Sequence, residues 1–259
     1  MPYASTSQLV DRARRAGTAI PAFNIPYLPM VEPVVRALRD TDSVGLVMVA
    51  RLEWEKFEAV GPEAVAVEYR KFAQPRHTRL HLDHVPVIDE DGRTVDYRDI
   101  IARAIDAGYE SVMVDGSRLS LAENIAATRS VVERAHAAGI AAEGELGAVM
   151  GHEEGPLPPY EELFASGKGF TDPDQARRFV EETGVDWLSV AIGNVHGAIS
   201  AATKDQPKIA ARLDLDHLDR IRAVADVPLV LHGGTGIPRA TVLSSLAHGI
   251  AKINVATAI

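Results

Sequence analysis

Short apolar or β-branched runs recur along the chain, separated by stretches whose apolar residues return at helical spacing. The runs are AIPAFNI (19–25), VGLVMVA (44–50), RLHLDHV (79–85), SVMVDGS (111–117), AAEGELG (141–147), WLSVAIG (187–193), PLVLHGG (228–234) and AKINVAT (251–257), eight in all. Between them, TSQLVDRARRAG sets Leu9, Val10, Ala13 and Ala16 on one helical face, and DYRDIIARAIDAG does the same with Ile100, Ile101, Ala104 and Ile105. The turn signals DAGYE, AAGIA, ETGVD, ADVP and AHGIA sit where a helix should end and a strand begin. Strict alternation predicts a parallel sheet of the α/β class. Eight units in 259 residues suit a closed (β/α)8 TIM barrel, a single domain over 1–259, better than an open doubly wound sheet. The GxGxxG fingerprint of the open alternative is missing after the early strands. A helix following the eighth strand has no counterpart before Ile259.

One connection is out of scale. GAVMGHEEGPLPPYEELFASGKG (147–169) is long, rich in Gly and Pro, and carries paired acids. Most connections in compact domains run ~4–6 residues, and longer ones are commonly functional or disordered. The segment is expected to be a mobile active-site loop.

Composition narrows the possible chemistry. With 46% hydrophobic residues the chain can bury a continuous core, and it has neither a run of apolar residues long enough to span a membrane nor a secretory signal, so a soluble, cytoplasmic protein is expected. A net charge of −9 disfavours nonspecific nucleic-acid binding while permitting a local pocket for a small anion. There is no cysteine, so any metal must be held by His, Asp and Glu.

Polar residues gather at the C-terminal ends of the expected strands: Asn24, Asp83 and His84, Asp115 and Ser117, Glu143 and Glu145, Asn194 and His196, His232 with Gly233 and Gly234, and Asn254 and Thr257. A barrel brings these ends to one rim, where barrel enzymes place their active sites. His84, His196 and His232 would then converge, and three imidazoles with an open position describe a catalytic zinc site. His81, inside the third strand, reads as a buried structural histidine; His77, His136, His217 and His248 read as solvated, and His152 belongs to the long loop. Asp83, beside His84, either acts on substrate or orients the metal site. Asp115, Glu143 and Glu145 either hold a second cation or form a hydrogen-bonded barrel layer. Glu153 and Glu154 are either solvated or carried to the rim by their loop. HGGTG and NVAT follow strands seven and eight, where barrels commonly bind phosphate through backbone amides.

Taken in order, HLDH, VMVDGS, ENIAATRSVVERAH, EGELG, GHEEG, TDP, VAIGNVHG, LHGGTGIP and KINVAT resemble the segments of class II, metal-dependent ketose-bisphosphate aldolases, the group of fructose- and tagatose-bisphosphate aldolases. The resemblance runs from about Pro21 to Thr257. It implies reversible aldol cleavage of a ketose (bis)phosphate to dihydroxyacetone phosphate and an aldehyde. It implies one Zn2+ per subunit on His84, His196 and His232, with a monovalent cation as a further candidate cofactor. Asp83 would exchange a proton with the hydroxyl at the bond cleaved, and Glu154, with Glu153 beside it, would exchange the proton on carbon. Gly197, Gly233, Gly234, Thr235, Asn254 and Thr257 would surround the phosphate, with Asn24 also on substrate, and Asp115 and Glu145 match an alternative metal position. A sugar phosphate is the expected small-molecule partner, with no nucleic acid and no membrane, and a homodimer or homotetramer is expected.

The negative charge left by carbon–carbon cleavage needs a sink, which zinc can supply and which a lysine Schiff base supplies otherwise. None of Lys56, Lys71, Lys168, Lys204, Lys208 and Lys252 ends an expected strand, which disfavours the Schiff-base route. The chain departs from the family pattern after strand two, where VARLEWEKFEAVG replaces a small, polar segment and Arg51, Glu53 and Trp54 would narrow or recharge the rim. HLDHV replaces the commoner HLDHG, VPVIDEDGRTVDY lengthens the next loop, and Gly144 stands where a larger residue is frequent. Two alternatives follow: the same chemistry on a ketose lacking the distal phosphate, or a noncatalytic barrel that binds sugar phosphate or supports a partner.

Overall fold

The computed structural model describes residues 3–148, 160–194, 211–234 and 237–256. Strands β1 (Ile20–Asn24), β2 (Gly45–Ala50), β3 (Thr78–Pro86), β4 (Ser111–Asp115), β5 (Ala141–Leu146), β6 (Trp187–Val190), β7 (Leu229–Leu231) and β8 (Ile250–Val255) pair in sequence order into a closed parallel barrel. Helices α1 (Thr6–Ala16), α2 (Val31–Asp40), α3 (Arg51–Glu55), α4 (Pro62–Phe72), α5 (Tyr97–Asp106), α6 (Leu121–Ala137), α7 (Tyr160–Ser166), α8 (Pro173–Thr183), α9 (Leu215–Arg222) and α10 (Arg239–Ala247) are formed by the described residues between and before them. This is the (β/α)8 TIM barrel expected from the alternation of runs.

Local chemistry explains the boundaries. Ser5 and Ser120 cap α1 and α6 in capping boxes with Gln8 and Glu123, and Asp96, Asp172 and Asp214 cap α5, α8 and α9. Gly184 ends α8 in the left-handed region (φ 70), as the ETGVD signal implied. The TDP motif is structural here. Buried Thr171 donates to Leu146 O and accepts from Ala191 N, joining β5 to β6, before Asp172 starts α8.

Two clusters make up the core. The larger lies between sheet and helices; the smaller unites Ile20, Ala22, Leu46, Met48, Ala141, Trp187, Val230 and Ala251 with Val10 and Ala13 of α1. That helix packs on β1 and β8 while Ala4 O, just before it, accepts from Arg79 at the start of β3. The N-terminal mouth of the barrel is thereby covered, which leaves polar side chains to the opposite mouth. Gly144 packs against the helical layer: a Cβ there would meet Phe179 at 3.0 Å and Thr128 at 3.1 Å, so α8 and α6 crowd this position from outside the barrel. The departure at Gly144 is therefore one of packing.

Part of the 147–169 segment is regular. Residues 149–159 lie outside the described residues, but Tyr160–Ser166 is the helix α7, and the Tyr160 hydroxyl donates to Gly193 O at 3.0 Å. The departures after β2 and β3 are also ordered: RLEWE is the short helix α3, and Asp89 accepts from the amides of Asp91 and Arg93 in a tight loop. No helix among the described residues is long and apolar enough to cross a membrane.

Candidate metal centre

Neighbouring residues of a strand normally face opposite sides of a sheet, yet Asp83 and His84 both turn into the C-terminal mouth. The cause is a break in register between β3 and β4 from Leu82 to Val85, at which His84 adopts φ 21. A bulge of this kind re-aims a side chain. His81 and Asp83 share the inward parity of β3, and the bulge adds His84 to them.

Among the described residues, His84, Glu145 and His232 bring three donor atoms within 4.8 Å of one another, a group able to hold a divalent metal ion. His84 Nε2 and His232 Nδ1 are 2.6 Å apart, and Glu145 Oε2 lies 3.8 Å from the first and 3.4 Å from the second. The second nitrogen of each ring meets a carboxylate: His232 Nε2 is 2.8 Å from Glu143 Oε1, and His84 Nδ1 is 3.4 Å from Asp115 Oδ2. Carboxylates behind ligating imidazoles fix the ring orientation and raise its basicity, the usual environment of a bound metal. Two imidazoles and a carboxylate, with no thiolate in the chain, match the donors zinc takes. The residues present therefore fit a divalent ion. Asn194 supports the centre by donating to His232 O at 3.0 Å while accepting from Ile192 N.

Beside the centre, Asp83 is almost completely buried and held from both sides. Asn24 Nδ2 donates to its Oδ2 at 3.0 Å and Asn254 Nδ2 to its Oδ1 at 2.9 Å. Asn254 Oδ1 in turn accepts from Lys252 Nζ at 2.8 Å, and Lys252 Nζ also donates to Glu143 Oε2 at 2.8 Å. One continuous polar chain thus runs from Asn24 through Asp83, Asn254, Lys252 and Glu143 to His232 and His84.

The charges within this chain shift one another. Burial opposes ionisation of Asp83, but His84 and Lys252 outweigh it and hold the carboxyl well below its usual range. Burial likewise disfavours a charged His84, yet Glu145 and Asp115 push its pKa up to about 10. For Glu143 burial is overcome by Lys252 and His232, to about 2, whereas burial and then Asp115 push Glu145 up to about 8. Burial, then Lys252, drives His81 down to about 3, so its ring is neutral. That ring bonds Ser111 through Nδ1 at 2.9 Å, while Nε2 has no hydrogen-bond partner among the described residues and lies 3.6 Å from Glu143 Oε2.

Of the residues expected from sequence, Asn24, Asp83, His84, Asp115, Glu145, His232, Gly233, Gly234 and Asn254 gather at this mouth. Gly234 is tightly approached, since a Cβ there would meet Ile253 at 3.0 Å and Asn254 O at 3.1 Å. Glu153, Glu154, His196, Gly197, Thr235 and Thr257 lie outside the described residues. The two asparagines expected on substrate spend their amides on Asp83. His77, expected in solvent, is buried with Nδ1 3.0 Å from Ser43 O. Two residues were underrated. Lys252 enters the sequence reading only as a lysine that ends no strand, although it shares the strand parity of Asn254, and Glu53 enters it only as a residue that would narrow or recharge the rim. Glu53 is 9% exposed, caps α3 at Ala50 N and interacts with Asn24.

The (β/α)8 barrel thus carries at its C-terminal mouth a His–His–Glu cluster able to hold a divalent ion, with a buried aspartate beside it. The sequence matches the family described as Fructose-bisphosphate aldolase class-II over residues 4–259, and the chain belongs to that family. Among solved structures it is similar to the YdjI aldolase of Escherichia coli K12, at 29% identity and TM-score 0.75 over 99% of this chain and 82% of that one. It is similar also to a Coccidioides immitis protein provisionally described as a fructose-1,6-biphosphate aldolase, at 30% identity and TM-score 0.75 over 98% and 82%. The fold is shared with the fructose-bisphosphate aldolase of Campylobacter jejuni, at 22% identity and TM-score 0.75 over 98% and 77%.

Proposed function

We propose that the protein is a zinc-dependent lyase that reversibly cleaves a ketose phosphate or bisphosphate into dihydroxyacetone phosphate and an aldehyde. The observation that carries this reading is the convergence of His84, His232 and Glu145 beside Asp83, a carboxylate held ionised at the edge of a metal centre. His196 is assigned to complete the ligand set, with Glu145 and Asp115 forming an alternative position for the ion. Zinc, when bound, supplies positive charge that stabilises an oxygen becoming anionic.

Asp83 takes the proton from the hydroxyl on the carbon that becomes the aldehyde. The carbon–carbon bond breaks and its electron pair passes to the dihydroxyacetone phosphate half. Glu154, with Glu153 as its neighbour, is assigned delivery of a proton to the carbanionic carbon, and the same groups run in reverse for condensation. Asn24 and Asn254 fix the Asp83 carboxylate by donating one bond to each oxygen, so its orientation is set before substrate arrives. Gly233 and Gly234, with Gly197, Thr235 and Thr257, are assigned to the phosphate; a Cβ at Gly234 would crowd Ile253 and Asn254 O, so that position takes no side chain.

The test is metal removal. Dialysis against a chelator should abolish cleavage of ketose phosphates and added zinc or cobalt should restore it; full turnover by demetallated protein would refute the proposal.

A further inference from the structure

The segment after β2 carries the rim feature least like a sugar-phosphate site. Ala50, the last residue of β2, is paired in register with Asp83 on β3. Three residues later Glu53 folds back over that strand end, its Oε2 accepting from Ala50 N. The carboxyl therefore lies over the junction of β2 and β3, next to the strand end that carries Asp83, the residue assigned to the hydroxyl of the aldehyde half, and Asn24 serves both acids. The nearest guanidinium on the same segment, Arg51, is turned away to Asp89 at 3.4 Å and Glu55 at 3.7 Å, and Trp54 packs against the main core. A carboxyl, and not a cation, is what α3 presents beside Asp83.

We infer that Glu53 is a specificity-determining residue for the aldehyde half, selecting an uncharged, hydroxyl-bearing aldehyde and disfavouring one that ends in phosphate. The inference rests on the proposed aldol chemistry. A carboxyl oxygen accepts from a hydroxyl, and a protonated carboxyl also donates to one. Neither form supplies the positive charge a phosphate dianion needs, and the ionised form repels it. Discrimination built on such a mismatch is the repulsive side of specificity.

The metal-loaded chain is to be assayed for condensation of dihydroxyacetone phosphate with glyceraldehyde and with glyceraldehyde 3-phosphate, comparing kcat/KM. Exchange of the dihydroxyacetone phosphate carbon-bound proton with solvent, without aldehyde, reports the first half of the chemistry alone. The native protein should prefer glyceraldehyde by about tenfold or more, and Glu53→Gln should move that ratio about tenfold towards the phosphorylated aldehyde. Glutamine can keep the helix cap while replacing an acceptor with an NH2 that donates to phosphate. A native preference for glyceraldehyde 3-phosphate, or an unchanged ratio in a folded Glu53→Gln protein, overturns the assignment while proton exchange persists. Absence of both exchange and condensation overturns the aldolase proposal itself, and this one with it. Should Glu53→Gln not fold, the native ratio decides.

Discussion

Lys252 Nζ lies 2.8 Å from Glu143 Oε2, and neither side chain is exposed to solvent. The pair stands between the two halves of the site: Glu143 reaches His232, and Lys252 reaches Asp83 through Asn254. Burying two charges is costly, and removing one partner leaves the other uncompensated at a typical cost of 3–5 kcal/mol. Lys252→Met should therefore destabilise the protein by about 3–5 kcal/mol in urea denaturation. Because Glu143 also orients His232, zinc affinity should fall by about 10–100-fold. Adding Glu143→Gln to that variant removes the stranded charge and should recover much of the lost stability. A double variant no more stable than Lys252→Met would mean that the pair is not what couples the two residues.

Metal binding and proton transfer are carried by adjacent residues and should separate on substitution. His84→Ala deletes a donor of the centre, so elemental analysis should find the variant depleted of metal. Asp83→Ala leaves the donors of His84, His232 and Glu145 in place and should keep metal, while turnover falls by about 10²–10⁴-fold, the usual worth of a general acid–base group. If Asp83→Ala lost its metal as readily as His84→Ala, Asp83 would belong to the ion's support.

The barrel could be read from the chain because its strands are buried on both faces and its helices on one, so the two periods alternate visibly from α1 to β8. The inward carboxylates and histidines were also legible, since they sit at strand ends. The bulge at His84 was not: residue types alone do not reveal that two neighbours face one way, and the adjacency of Asp83 and His84 would ordinarily argue that one points outward. Lys252 escaped because a lysine early in a strand suggests an exposed end; only the shared parity with Asn254 indicates an inward position. Asn24 and Asn254 are legible as rim residues, but whether an amide faces ligand or a carboxylate depends on barrel closure, which pairs β1 with β8 and brings both asparagines within reach of Asp83 on β3. Glu53 lay in a segment marked as unusual, and its direction was set by a helix cap that the expected loop did not include.

The buried Glu53 also gives stability a pH dependence of its own. Burial first, and Asp83 second, push its carboxyl from 4.5 up to about 8. In the unfolded chain the same group ionises near its ordinary value, so between pH 4.5 and about 8 the folded state holds a proton that the unfolded state has released. Its contribution is thus fully present below pH 4.5, declines as pH rises through this window, and levels off above the folded-state value. Glutamine does not titrate. The stability of Glu53→Gln relative to the native protein should therefore rise across the window by several kcal/mol, on the order of 4, which follows from 1.36 kcal/mol per pKa unit. Urea denaturation of both proteins at pH 5 and pH 8 measures this directly, with the remaining titrating groups common to the two. A difference that stayed flat over that range would show that the folded protein holds Glu53 ionised, with its charge already compensated beside Asp83.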